Sequence, residues 1–196
     1  MHSTLTQVVH DSIRKSNKSF IEGFESSRSM SRVVNHIAVS VTDIKIAMEW
    51  YRDVMNMTVL MEPTEISAID DAGTDAHLAG LVRNVFGPGL GKFLICHMTS
   101  ANGVGLELFQ FLDPVAIKRT DNFEYWKTGF FHVAITDPEV ALLAEKIASS
   151  GGRVRTGVLE LVPGSGKRIC FCEDPFGNII EIYSHSYEQF WANARF

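Results

Sequence analysis

A histidine followed by an apolar residue, alanine and another apolar residue occurs twice, as His36-Ile37-Ala38-Val39 and as His132-Val133-Ala134-Ile135. A second pair of segments repeats in step with the first. These are Gly103-Val104-Gly105-Leu106-Glu107-Leu108-Phe109 and Gly177-Asn178-Ile179-Ile180-Glu181-Ile182-Tyr183. In each, a glutamate stands four residues after a glycine, between apolar neighbours. This duplication constrains the fold more than any single segment, because one unit must be built twice.

The local signals give the same order in both copies. Residues 33–41 form a β-rich run, and Thr42-Asp43 offers a helix cap. Ile44, Ala47, Met48, Tyr51 and Met55 then recur at helical spacing. Short strands follow at 57–61, 93–98 and 104–111, the last two joined by the turn Ser100-Ala101-Asn102-Gly103. Residues 64–91 are an excursion with turn signals at Asp70-Asp71-Ala72-Gly73 and Gly87-Pro88-Gly89 and a short helix over 76–85. Excursions of this length in a domain are often lids or pocket walls. The second copy reads as a strand at 130–135, then a helix started by Asp137-Pro138-Glu139 and closed by Gly151-Gly152. Strands follow at 154–159, 167–172 and 178–184, and a final helix at 187–194. The expected organisation is an arm (1–30), a first βαβββ module (31–113), a connection (114–128), a second module (129–186) and a tail (187–196).

With 196 residues, 45% hydrophobic and 21% charged, the chain can bury a sizeable core. A net charge of −5 without a long basic run argues against nucleic acid as a partner. No apolar run approaches the ~18 residues needed to span a bilayer, and the N-terminus lacks the apolar core of a secretory signal. Cys96, Cys170 and Cys172 show no disulfide spacing, which implies a reducing, cytoplasmic setting. Phe20, Ile21 and Phe24 in the arm suggest packing on a second subunit of a homodimer.

Singly, most of the repeated polar residues have ordinary readings. His36 could be a core histidine, Glu107 the solvent-facing member of an alternating strand, and His132 a neighbour packed beside Phe130 and Phe131. Glu181, within Ile179-Ile180-Glu181-Ile182, is harder to explain, because an unpaired buried carboxylate is very costly. Two copies each supply one imidazole and one carboxylate at corresponding strand positions. If the two sheets curve towards each other, His36, Glu107, His132 and Glu181 converge. Such a set suits one divalent ion, Zn²⁺, Ni²⁺, Co²⁺, Mn²⁺ or Fe²⁺, and leaves room for water or substrate oxygens.

The repeated module, the opening His36-Ile-Ala-Val with Asp43 starting the helix, and Glu173-Asp174-Pro175-Phe176-Gly177-Asn178 ahead of Ile180-Glu181-Ile182 resemble the vicinal oxygen chelate superfamily. That superfamily includes glyoxalase I, methylmalonyl-CoA epimerase, extradiol dioxygenases and bleomycin-resistance proteins. The resemblance covers about residues 32–186. It implies an α+β fold of two tandem βαβββ modules, with a curved eight-stranded cleft and one metal ligand from each of four strands. The His, Glu, His, Glu pattern is closest to glyoxalase I-like lyases. It implies a lyase or isomerase of a small-molecule substrate, in which a metal-stabilised enediolate forms next to a carbonyl. Glu181, then Glu107, are the candidate bases. The alternatives are an Fe(II)-dependent ring-cleaving dioxygenase and a non-catalytic small-molecule or drug-binding protein. Arg83, Lys92, Arg153, Arg155, Lys167 and Arg168 are the cations that could hold carboxylates of a glutathione conjugate. His97 is a candidate for lining the cleft, and Tyr183, on the face of Glu181, for a hydrogen bond to substrate.

Overall fold

The computed structural model describes residues 32–69 and 75–192, so the arm with its expected subunit contact lies outside the described residues. The first module begins with β1 (His36–Ser40), α1 (Ile44–Asp53) and β2 (Thr58–Ser67). It continues through α2 (Ala76–Phe86), β3 (Lys92–Thr99) and β4 (Gly105–Asp113). The second holds β5 (Val133–Thr136), α3 (Val140–Ser149), β6 (Arg153–Val154), β7 (Leu159–Glu160), β8 (Arg168–Glu173) and β9 (Ile179–Tyr183), followed by α4 (Tyr187–Trp191). The strands form two sheets. One is four-stranded, in the order β1-β4-β3-β2. The other runs β5-β9-β8-β6, with β7 also on β8. In each, the first strand pairs in parallel with the last and forms the sheet edge.

Local chemistry explains the starts of the elements. The Asp43 side chain accepts from the amides of Lys45 and Ile46 at 3.1 and 3.0 Å, capping α1. Gln110 Oε1 accepts from Ile44 N at 2.9 Å, tying the helix start to β4. Ile44, Ala47, Met48, Trp50 and Tyr51 make the buried face of α1. Val140, Leu143, Ala144 and Ile147 do the same for α3. One cluster of buried residues contains both helix faces, together with Leu106 and Leu108 of β4, Cys170 and Cys172 of β8, and Ile180 and Ile182 of β9.

Four boundaries differ from the sequence reading. β2 continues through Pro63 to Ser67, because it is an edge strand with irregular register and an edge tolerates proline. The strand expected at 154–159 is broken into β6 and β7. The amides of Arg155 and Thr156 both donate to Phe171 O, at 2.8 and 3.3 Å, and Thr156 Oγ1 takes the Phe171 amide at 3.0 Å. Two residues thus oppose one, and the ladder is interrupted. The expected eight strands are therefore nine among the described residues. Asp137 does not cap α3. Its amide donates to Tyr183 O at 2.9 Å, in line with β5, and its carboxylate accepts from Glu139 N at 2.8 Å, so the helix begins two residues later than Pro138. β5 starts at Val133, which leaves His132 one residue ahead of it.

The Glu-Asp-Pro-x-Gly-Asn segment is a turn organised by Asp174, which is 2% exposed. Oδ1 accepts from the amides of Phe176 and Asn178 at 2.9 and 2.8 Å, and Oδ2 accepts from Asn178 Nδ2 at 2.8 Å. Gly177 supplies the φ of 88° that the turn needs. From outside, Lys118 Nζ and Asn122 Nδ2 donate to the carbonyls of Pro175 and Gly177, both at 2.7 Å. Tyr51 of α1 donates its hydroxyl to Asp174 Oδ2 at 2.9 Å, a buried bond between the two modules. Burial pushes the Asp174 carboxyl above its ordinary range, against the pull of these donors. Tyr51→Phe removes one bond to this charged group and should lower unfolding stability by about 1.5–3 kcal/mol. Urea denaturation monitored by circular dichroism measures this, and an unchanged midpoint would show that the bond does not hold the modules together.

Candidate metal centre

Alternation decides which way each carboxylate points. On β4, Leu106 and Leu108 enter the core, so Glu107 stands on the opposite face. On β9, Ile180 and Ile182 enter the core and Glu181 takes the opposite face. His36 opens β1, opposite Gly105 in the parallel register, and Ala38 lies opposite Glu107. A Cβ at Gly105 would sit 3.0 Å from the Cβ of His36, so glycine makes room for the imidazole there.

The first pair is His36 Nε2 and Glu107 Oε2, 3.5 Å apart. The other imidazole nitrogen, Nδ1, is 2.8 Å from Asn35 Oδ1. Nδ1 as the donor leaves Nε2 with its lone pair towards Glu107, and metal-bound histidines are commonly held by such a second bond. The second pair is His132 Nε2 and Glu181 Oε2, 3.2 Å apart. His132 is set by aromatic packing, its ring edge-on to Phe131 at 4.3 Å and to Phe171 at 5.6 Å. Burial lowers the His132 pKa, favouring the neutral imidazole that can donate a lone pair. Burial also raises the Glu181 pKa, opposed by the Tyr183 side chain. A cation beside Glu181 would offset the cost of its charge.

These separations fit a shared ion. Nitrogen and oxygen ligands at about 2.0–2.2 Å, subtending roughly 90° to 109°, lie roughly 2.8–3.6 Å from each other. The chemistry of the donors fits as well, with two imidazoles and two carboxylates for one divalent cation. The structure brings His36 to Glu107 and His132 to Glu181, and among the described residues they stand as two pairs. No group of three or more His, Cys, Asp or Glu side chains there gathers so as to hold an ion.

The structure adds His97 to the first pair. It lies directly across from Glu107 in the β3–β4 register, and its Nδ1 is 3.5 Å from Glu107 Oε1. Its strand position suggested the cleft, but only the register, set by the hairpin turn, places it against Glu107. Tyr183 shares the face of Glu181 and packs on Phe190 at 4.6 Å between centroids. Phe109, its counterpart in the first module, packs among other phenylalanines. His77 is exposed on α2, and His185 Nδ1 lies 2.8 Å from Ser184 Oγ.

Each of the six candidate cations is engaged elsewhere. Arg83 bonds the carbonyl of Ala68, Lys92 lies 3.4 Å from Glu65, and Lys167 donates to Phe190 O at 2.7 Å. Arg168 reaches Pro138 O at 3.5 Å. Arg153 and Arg155 both bond Glu173, and Arg155 also bonds Asp121 at 3.2 Å. Burial would raise the Glu173 carboxyl, but the two guanidinium groups hold it below its ordinary value. A cavity of about 260 Å³ beside this cluster, lined by Lys118, Asp121, Arg153 and Asp174 among others, contains none of the four candidate ligands.

The chain over residues 33–182 matches the family model described as the glyoxalase/bleomycin resistance protein/dioxygenase superfamily. No curated protein matches it in sequence. Its fold is similar to that of a glyoxalase family protein from Bacillus cereus, with a TM-score of 0.61 and 16% identity over 81% of this chain and 96% of that one. It is also similar to glyoxalase I from Zea mays, with a TM-score of 0.53 and 21% identity over 80% of this chain but 46% of the maize chain. A third similar structure is a mutant fosfomycin resistance protein from Listeria monocytogenes complexed with Mn(II) and 1S,2S-dihydroxypropylphosphonic acid. There the TM-score is 0.50 and the identity 15%, over 82% of this chain and 95% of that one. With a match over residues 33–182 and a His–Glu pair in each half, the chain belongs to the glyoxalase/bleomycin resistance protein/dioxygenase superfamily.

Proposed function

We propose that the protein is a metal-dependent lyase or isomerase that removes a proton from a carbon next to a carbonyl, with His36, Glu107, His132 and Glu181 as the metal ligands. The observation that carries this reading is the presence of a carboxylate in both pairs, Glu107 as well as Glu181. Two carboxylates balance a divalent charge, so the ion need not be redox-active, and one glutamate can leave the ion to act as a base. A bound divalent ion would hold two neighbouring oxygens of the substrate and stabilise the negative charge that grows as the C–H bond breaks. Glu181, on the strand face it shares with Tyr183, leaves the ion to receive the proton. Tyr183, beside it, restrains the carboxylate. Glu107, held between His36 and His97, is the second candidate for the base.

A homodimer in which each site takes His36 and Glu107 from one copy and His132 and Glu181 from the other is part of this proposal. Each pair contributes two of the proposed ligands, and among the described residues no three His, Cys, Asp or Glu side chains gather to hold an ion, whereas three protein ligands are usual at a catalytic zinc. β1 and β5, which lie next to the ligands, each keep one edge unpaired within their sheets and are suited to meet across such a seam.

A ring-cleaving dioxygenase is the second reading. It is favoured by His97, which puts two imidazoles and a carboxylate on one sheet face. Oxygen uptake with a catechol, and no turnover of hydroxycarbonyl compounds, would select it over the first.

Two measurements test the proposal. Glu181→Gln keeps an oxygen donor and loses the basicity. At saturating metal the variant should still load metal while its rate falls about 10²–10⁴-fold, and a fully active, metal-replete variant removes Glu181 from the mechanism. For the shared site, His36→Ala and His132→Ala chains should each bind no metal tightly alone. Co-expressed, they form mixed dimers in half of the population, each with one intact site of two, restoring roughly a quarter of the metal content. No restoration in confirmed mixed dimers would place each site within one chain.

A further inference from the structure

Three pieces of chain, distant in sequence, wall the cavity of about 260 Å³ at the Asp174 turn. Residues 118–122 of the connection make one wall. Gly151 and Gly152 after α3, with Arg153 of β6, make the second, and residues 173–175 with Gly177 make the third. Glycine lets these walls approach. A Cβ at Gly152 would collide with the carbonyl of Glu173, and one at Gly177 would sit 3.5 Å from Asn122 Nδ2. The bonds from Lys118 to Pro175 O and from Asn122 to Gly177 O, both 2.7 Å, hold the connection against the turn. The volume lies just below the roughly 300–1,000 Å³ of sites for drug-sized ligands, so it suits a small metabolite.

Most of the charge around the cavity is already answered. Arg153 Nε and Nη2 bond the two oxygens of Glu173 at 3.0 and 2.7 Å. Arg155 bonds Glu173 as well and reaches Asp121 Oδ1 at 3.2 Å, so two guanidinium groups face two carboxylates. Asp174 takes its donors from Phe176, Asn178 and Tyr51. Two cations remain. Lys118 spends one of its three N–H donors on Pro175 O. Arg119 makes no hydrogen bond or ion pair among the described residues. One acceptor remains too. Gly177 O can only accept, which fixes the orientation of the Asn122 amide and leaves its Oδ1 on the other side. That oxygen is buried and takes no hydrogen bond from the described residues. A buried acceptor without a donor is costly. Here it lines a cavity beside two available cations, a combination that calls for an anion and a donor together.

We propose that this cavity binds a small carboxylate with a hydrogen-bond donor on the adjacent carbon, a 2-hydroxy or 2-amino acid. The carboxylate meets Arg119 and the spare N–H donors of Lys118, and the hydroxyl or ammonium group donates to Asn122 Oδ1. The ligand thereby joins the connection to the turn that fixes where β9 starts. Because it binds only the folded arrangement, occupancy stabilises the Asp174 turn and, through Tyr51, the contact between the modules. No metal ion and none of the four candidate ligands takes part.

Titration of the isotope-labelled protein with glycolate, glycine, acetate and sulfate, followed through amide NMR shifts, tests this. Glycolate or glycine should shift the amides of Asn122, Gly152 and Gly177 saturably and bind about fivefold or more tightly than acetate, which has no donor. Sulfate, also without a donor, should do no better than acetate. The tighter of glycolate and glycine identifies the donor. Arg119→Gln should weaken that ligand about fivefold. Arg119 has no protein partner, so the variant keeps the fold, which its amide spectrum verifies. Acetate or sulfate binding as tightly as the other two, shifts confined to other parts of the molecule, or an affinity unchanged in Arg119→Gln overturns the proposal. So does an absence of saturable binding by all four.

Discussion

Leu106 and Leu108 on β4, and Ile180 and Ile182 on β9, are drawn into one apolar core, and a strand can place only alternate residues there. Glu107 and Glu181 are thereby forced onto the faces away from the core. Each then meets a histidine at the start of the parallel neighbour strand, His36 as the first residue of β1 and His132 one residue ahead of β5. The energetic cost falls on the carboxylates. Glu181 is 5% exposed, and its burial favours the protonated form, opposed by the Tyr183 side chain.

The Asp174 turn serves this arrangement from the other end of β9. It satisfies buried amides at the strand entrance, accepts the Tyr51 hydroxyl from α1, and is clamped from outside by Lys118 and Asn122. Four donors on one buried carboxylate fix where β9 starts, and therefore where Glu181 falls. A one-residue slip of β9 would put Glu181 in the core and Ile180 or Ile182 on the ligand face.

α2 differs from the other elements because nothing in the duplicated plan requires it. It has no counterpart between β6 and β8, where the chain makes only the short β7. Its packing on Phe93, Phe109 and Phe111 breaks the symmetry of the two modules and makes the surroundings of the Glu107 pair unlike those of the Glu181 pair.

The sequence by itself determined the duplication, the α1 cap at Asp43, the facing of the β4 and β9 residues and the four candidate ligands. The cap and the facing depend on capping chemistry and short-range periodicity carried by neighbouring residues, and the candidate ligands on the repetition of the two segments. Tertiary structure alone decided the rest. Pro63 did not end β2, because that strand lies at an edge, and Asp137 did not cap α3, because its amide is held by Tyr183. His97 joined Glu107 through the β3–β4 register, and the six basic residues found partners elsewhere. These outcomes depend on contacts between residues far apart in the chain, for which local patterning carries no signal. Whether a cation holds a ligand or a neighbour is decided by which carboxylate or carbonyl the fold brings within about 3 Å of it.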